Sequence, residues 1–229
     1  MRENNIPNSL QAPSLREGGK TMLLSTTYFG PVQWYQKLYR SKYVLIEQHE
    51  SFLKQTYRNR CVIAATNGAQ TLSVPIIHSS PDSPSPSVIT SIRISNHGNW
   101  RHQHWNALAS AYGESPFFDY YVDDLRPFFE EEWEYLFEFN MTIMLKMCEL
   151  LDIHPNIQLT KQYETAEAIR QQEDIQDYRE TIRPKNPVPD ESFLPRRYYQ
   201  VYEQKHGFLS NMSILDLLFN LGNEAILYL

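Results

Sequence analysis

Cysteine is almost absent: Cys61 and Cys148 are the only two in 229 residues, and neither has a CxxC companion. Such a pair reads as buried, reduced thiols of a cytosolic protein and argues against a disulfide framework. Glycine is scarce too, at eight, which leaves little room for a phosphate-cradling loop. GxGxxG, GxxxxGK[ST], GxSxG and DxD are all missing, so nucleotide hydrolysis and serine-hydrolase chemistry are disfavoured. No HExxH or comparable zinc spacing occurs. No apolar run approaches the ~20 residues that a bilayer span requires. The polar first twenty residues lack the apolar segment of a secretory signal. Basic residues are outnumbered, 21 against 27 acidic, for a net charge of −6. That balance argues against a nonspecific nucleic-acid binder. The expectation is a soluble, cytoplasmic protein without a membrane span.

What is present is apolar and aromatic material: 41% hydrophobic residues, 13% aromatic, with 15 Tyr and four Trp. That suffices for one domain. Residues 1–21, with Pro7, Pro13 and Gly18-Gly19, read as a disordered extension or as sequence upstream of a start at Met22. Residues 22–229 read as a single α/β domain with a mixed sheet, a β-hairpin, central helices and a C-terminal helix.

Strand-like Met22–Thr27, helical Val32–Ser41 and strand-like Tyr43–Glu47 suggest a parallel pair joined by a helix. Asn67-Gly68 between two β-forming runs predicts a hairpin over 60–77 with a type I′ turn. The Pro- and Ser-dense stretch 79–87 predicts an exposed loop, and Val88–Ile94 another strand. In Asn99–Tyr112 the residues Trp100, His104, Trp105, Leu108, Ala111 and Tyr112 share one helical arc of about 140°. A further helix is predicted from Pro127 through Leu151, with Asn140 in its apolar stripe and therefore in need of a hydrogen-bond partner. Residues 183–195, with four prolines, predict a linker or surface crossing. Ser213 and Gly222 bracket a last helix as cap and terminator.

Chemistry-bearing residues gather in several places. Lys54, Arg58 and Arg60 offer positive charge ahead of the hairpin. If 57–60 is extended, Arg58 and Arg60 point to one side and form an anion clamp; the other reading pairs them with surface carboxylates. His97, His102 and His104 crowd together, but His102 and His104 lie ~200° apart on a helix, against a shared metal. His104 is either a core histidine or part of a pocket wall. Asp216 and Asn220 share a helix face, fit to meet a sugar hydroxyl or exchange a proton, or merely to cap and face solvent. Glu47, Gln48, His49 and Glu50 follow a strand that would be parallel, where open α/β sheets place ligands.

Five blocks in order resemble the WbqC-like protein family. They are Tyr28-Phe-Gly-Pro31 with Trp34, then Gln48-His49 through Lys54-Gln-Thr-Tyr-Arg-Asn-Arg60, then Asn67-Gly68 with Leu72-Ser-Val-Pro75. The fourth is Trp100–Tyr112 with Ser115-Pro116-Phe117-Phe118, and the last is Phe208–Gly222. The resemblance runs from about Met22 to the end; its order and spacing carry it, not any single block. It implies work on a sugar or nucleotide-sugar in O-antigen or other surface-polysaccharide biosynthesis, as a transferase of an amino-acyl or other small group. It names no cofactor. Tyr28, Pro31, Asn59, Arg60, Trp100, Tyr112, Asp216 and Asn220 match recurrent family positions. On this reading Arg58 and Arg60 hold an anionic group, with Asn59 and Asn220 beside the ligand. His104 or Asp216 exchanges a proton, and Tyr28 or Trp100 stacks on the sugar. The 183–195 passage departs from the longer, glycine-containing segment of more familiar members. The competing class is a non-enzymatic adaptor that holds a partner through an aromatic surface.

Overall fold

The computed structural model describes residues 20–77 and 87–229. The expected extension and the Pro/Ser loop therefore fall almost wholly outside the described residues.

The chain opens with β1 (Thr21–Ser25), α1 (Val32–Arg40) and β2 (Tyr43–Glu47), then the hairpin strands β3 (Arg60–Ala65) and β4 (Gly68–Ser73). The helical middle follows: α2 (Trp100–Tyr112), α3 (Phe118–Leu125), α4 (Pro127–Glu130) and α5 (Leu136–Leu150). After it come β5 (Ile157–Leu159), α6 (Ala166–Arg170), β6 (Ile175–Asp177), α7 (Glu203–His206) and α8 (Ile214–Leu221). The class is α/β. Its mixed pairing is divided between two sheets: a parallel four-stranded sheet in the order β5-β2-β1-β6, and the antiparallel pair β3-β4.

β1 and β2 pair in parallel over their full lengths, Thr21 with Tyr43 through Ser25 with Glu47. Leu23, Leu24, Val44 and Ile46 are fully buried, as the central strands of a parallel sheet require. At ~1.5–3 kcal/mol for each such side chain removed from water, this strip is a principal source of stability. α1 covers it with Trp34, Tyr35 and Leu38, all buried. The sheet has a topological switch: β2 and β5 extend it to one side of β1, whereas β6 lies on the other.

Several sequence expectations are corrected. The hairpin pairs Ala65 with Gly68, so Thr66 and Asn67 form the loop. Positive φ occurs at Gly68, +99°, and not at Asn67. A type I′ turn needs positive φ at both central residues, so the glycine acts one place later, where the chain re-enters the strand. Val88–Ile94 is not a strand but a 3-10 turn at Ile89–Ser91 with isolated bridges. The helix expected from Pro127 to Leu151 breaks over 131–135, between α4 and α5. Residues 183–195 are a coil strap packed onto α1: Lys37 Nζ lies 2.6 Å from Asp190 Oδ2, both nearly fully buried. Cys61 and Cys148 are free and buried; burial raises both thiol pKa values, that of Cys148 to about 12.

Candidate functional site

Because the four strands run in parallel, Ser25, Glu47, Leu159 and Asp177 end on one edge. In open α/β sheets that edge, at the topological switch, is where ligands bind. A cleft of about 500 Å³ lies there. The loop after β2 contributes His49, Glu50 and Ser51, the segment after β5 contributes Tyr163, and the end of β6 contributes Asp177 and Arg179.

The floor is an ionic network. Glu47 is fully buried. Its Oε1 accepts from the His49 backbone N–H at 2.8 Å and from the Thr160 hydroxyl at 2.8 Å. Its Oε2 accepts from the Glu164 N–H at 3.0 Å and from Arg179 Nη1 at 3.2 Å. Four donors are what a buried carboxylate needs to offset desolvation. Arg179 also clasps Asp177 in bidentate fashion, Nε to Oδ1 at 2.9 Å and Nη2 to Oδ2 at 2.6 Å. Its guanidinium lies 5.3 Å from the Tyr163 ring centre. Burial pulls the Arg179 pKa down, but the hydrogen bonds and charge of Asp177, with Tyr163 and Glu47, outweigh it and hold the pKa above its ordinary value.

A second pair forms the adjoining wall. Glu50 accepts from Arg58 Nε at 2.8 Å and from Nη2 at 2.5 Å. Ser25 bridges the two, accepting from Arg58 at 2.7 Å and donating to Glu50 at 3.0 Å. Arg58 is therefore committed to a buried carboxylate. Residues 57 and 58 form a turn rather than extended strand, so the alternation that would place Arg58 beside Arg60 does not apply. Arg60 opens β3 half-buried, its Nε without a partner. Asn59 Nδ2 donates to the Val74 carbonyl at 2.9 Å and pins the hairpin entrance.

The remaining expected site residues sit in two interior networks. Tyr28, fully buried, bonds His104 Nδ1 at 2.9 Å. Burial lowers the His104 pKa to about 4, opposed by a bond to the Ser73 carbonyl. The ring is thus neutral, donates to Ser73 and accepts the Tyr28 hydroxyl proton at Nδ1. Trp100 packs edge-on against that ring and donates its indole N–H to the Ser95 carbonyl. Asp216 is fully buried, not solvent-facing. It accepts from Tyr112 at 2.9 Å, Tyr198 at 2.6 Å and Gln200 at 2.7 Å. Burial pushes its pKa up to about 6, with the bonds from Tyr198, Gln200 and Tyr112 opposing. Asn220 is also buried and donates to the Asp216 carbonyl. Tyr28, Trp100 and His104 are brought together, as are Asp216 and Asn220. Arg58, His104 and Asp216 bond to separate sets of partners, and neither they nor Arg60 line the strand-end cleft.

Tyr163, Asp177 and Arg179 were not visible as candidates in the sequence. The one available signal was the Asp-x-Arg spacing of 177 and 179, which lacks meaning until β6 is recognised as a strand. A larger groove of about 740 Å³ lies between the hairpin and α2, around Asn67, Gln70, Thr71, Asn106 and Ser110. It has no titratable lining residue, so the smaller strand-end cleft is the better chemical site. Among the described residues no group of three or more His, Cys, Asp or Glu is placed to hold a metal. Nor is any helix among them long and apolar enough to cross a membrane.

No curated protein and no solved structure matches the chain. The model of the WbqC-like protein family matches residues 26–228. That match takes in most of the 229 residues, and the protein belongs to the WbqC-like family.

Proposed function

We propose that the protein binds a sugar or nucleotide-sugar in the strand-end cleft and acts on it in surface-polysaccharide biosynthesis, as a transferase of a small group. The observation that carries this reading is the set of acceptors and the aromatic face that line the cleft. Asp177 is clasped by Arg179 on one side, yet its side chain remains 22% exposed. Glu50 and Asp177 offer carboxylate oxygens to hydroxyl groups. Tyr163, 52% exposed, offers an aromatic face to the apolar side of a sugar ring. An arginine behind each carboxylate fixes its direction.

His49 is the proton-transfer residue in this reading. Its Nε2 lies 3.2 Å from the Thr160 carbonyl. A carbonyl only accepts, so Nε2 carries the hydrogen and Nδ1 is left as the basic nitrogen. His104 and Asp216, with both ring nitrogens and both carboxylate oxygens engaged, serve the scaffold.

The test is a thermal-shift screen of the whole chain against sugars and nucleotide-sugars. A ligand held at 100 times its Kd stabilises by about 2.7 kcal/mol. A hit lost in Asp177→Asn and His49→Ala supports the site. A hit that survives both, or no hit at all, removes it. Exposed Leu194, Tyr199 and Leu227, at 76%, 54% and 62%, favour the adaptor reading instead, and absence of any small-molecule hit would move the weight there.

A further inference from the structure

The strand-end cleft is bordered by carboxylates. A second cleft, of opposite character, opens at the start of α2. Its volume is about 240 Å³, and Arg101, His102, Trp105, Arg126, Phe129 and Glu130 form its working walls. Two permanent cations and one titratable ring thus face a single carboxylate.

That carboxylate does not exhaust the cations. Glu130 Oε1 accepts from Arg126 Nε at 2.5 Å, one helical turn along a surface where the Arg126 side chain is 52% exposed. Arg126 Nη1 and Nη2 have no protein acceptor among the described residues. The same guanidinium lies 5.8 Å from the centre of the Trp105 ring, which holds its plane beside the cleft. Arg101 makes no ion pair among the described residues. Its Nη2 donates to Asn96 Oδ1 at 2.9 Å, and its guanidinium sits 4.7 Å from the Trp100 ring centre. Its Nε is buried and lacks an acceptor. The guanidinium is thus short of acceptors from the protein, and its terminal nitrogens are the ones a ligand in the cleft can meet. Desolvation lowers the Arg101 pKa against the influence of Glu132, which marks a cation short of counter-charge.

The backbone adds to this field. α2 runs for 13 residues, and its Asn99 cap makes no side-chain bond to the first turn. The leading N–H groups and the positive end of the helix dipole therefore face the same opening. Trp105 and Phe129 supply an apolar flank next to the charged end.

The geometry points to a binding site for a phosphate monoester, its oxyanion held between Arg101 and Arg126 at the first turn of α2 and its organic stem against Trp105 and Phe129. Planar guanidinium groups match two phosphate oxygens at once, and the cleft accommodates one phosphate with a small substituent. This site is separate from the strand-end cleft and does not rest on the sugar reading.

Calorimetric titration of the whole chain with phenyl phosphate, at constant ionic strength, tests it. Saturable binding is expected, displaced by inorganic phosphate and not reproduced by phenol. Arg126→Gln and Arg101→Gln should each weaken it at least tenfold, and Arg60→Gln should leave it unchanged. Arg126 lies on the surface, so Arg126→Gln should keep the wild-type circular dichroism and unfolding midpoint, and a lost affinity there cannot be ascribed to unfolding. No saturable binding at millimolar phenyl phosphate, equal binding of phenol, retention in both arginine variants, or an equal loss in Arg60→Gln would each overturn the assignment.

Discussion

Two aspartates show how one side chain serves two ends. Asp216, on the first turn of α8, has both oxygens bonded by Tyr112, Tyr198 and Gln200 and no exposure. Asp177, at the end of β6, is gripped along one edge by Arg179 and stands partly open to a cleft. The first arrangement is closed: three protein donors hold the two oxygens and neither is exposed, so no ligand can reach them. The second is closed behind and open in front, the condition for recognising something that arrives. Burial and a shifted pKa alone do not separate a functional acid from a structural one; the direction of its unspent valence does.

The contrast can be tested most forcefully at the wall of the strand-end cleft. Arg58→Ala would strand Glu50 as an uncompensated buried charge, at a cost of about 3–5 kcal/mol. Urea denaturation followed by circular dichroism measures this, and a cost under about 1 kcal/mol would return Arg58 to the role of a ligand clamp. Asp216→Ala comes next. It removes the common acceptor of three buried donors and should cost about 3 kcal/mol, seen as a lower urea midpoint at unchanged slope.

A third test uses pH. Burial holds the His104 pKa near 4 in the native state, below the ordinary 6.5. The folded protein thus disfavours the imidazolium. This contribution is complete above about pH 6.5 and is lost as pH falls toward about 4. Asp216, raised to about 6 from 3.8, runs the other way, contributing below about pH 4 and losing that contribution as pH rises to about 6. His104→Gln keeps an acceptor for Tyr28 and a donor for Ser73 while deleting the titration. The stability of wild type relative to this variant should fall by on the order of 2 kcal/mol from pH 7 to pH 4.5. A constant difference would show that His104 titrates alike in the folded and unfolded chain, and that burial does not lower its pKa. The smallest stability effect sharpens the comparison most. His49→Ala, at an exposed position, should change stability by less than about 0.5 kcal/mol while abolishing turnover of any ligand found for the strand-end cleft.

The sequence made some of this legible and hid the rest for physical reasons. The β3–β4 hairpin and α2 were readable because turn chemistry and a helical arc are local signals; five of the six arc residues, Trp100, His104, Leu108, Ala111 and Tyr112, are buried. Ser213 caps α8 through Leu215 N–H and Gly222 ends it at positive φ, again a local matter. β5 and β6 were invisible because three residues cannot display alternation, and they exist by pairing with β2 and β1. Recognising Asp177 and Arg179 required that pairing. His104 and Asp216 drew attention by residue type, which carries no information about whether their polar atoms are already spent. Asn140 shows the same limit: its Nδ2 finds the Arg58 carbonyl at 2.7 Å, while its Oδ1 stays unpaired.

The bond between Glu47 and Arg179 spans 132 positions, and that distance has a consequence for biosynthesis. A ribosome that has delivered β1, α1 and β2 has made the centre of the sheet but only part of its working edge. Tyr163, Asp177 and Arg179 emerge long afterwards, and their capture carries the loop-closure cost of a remote contact. The first half of this edge is therefore made long before its partners, and Tyr163, Asp177 and Arg179 close it only once β5 and β6 have paired with β2 and β1.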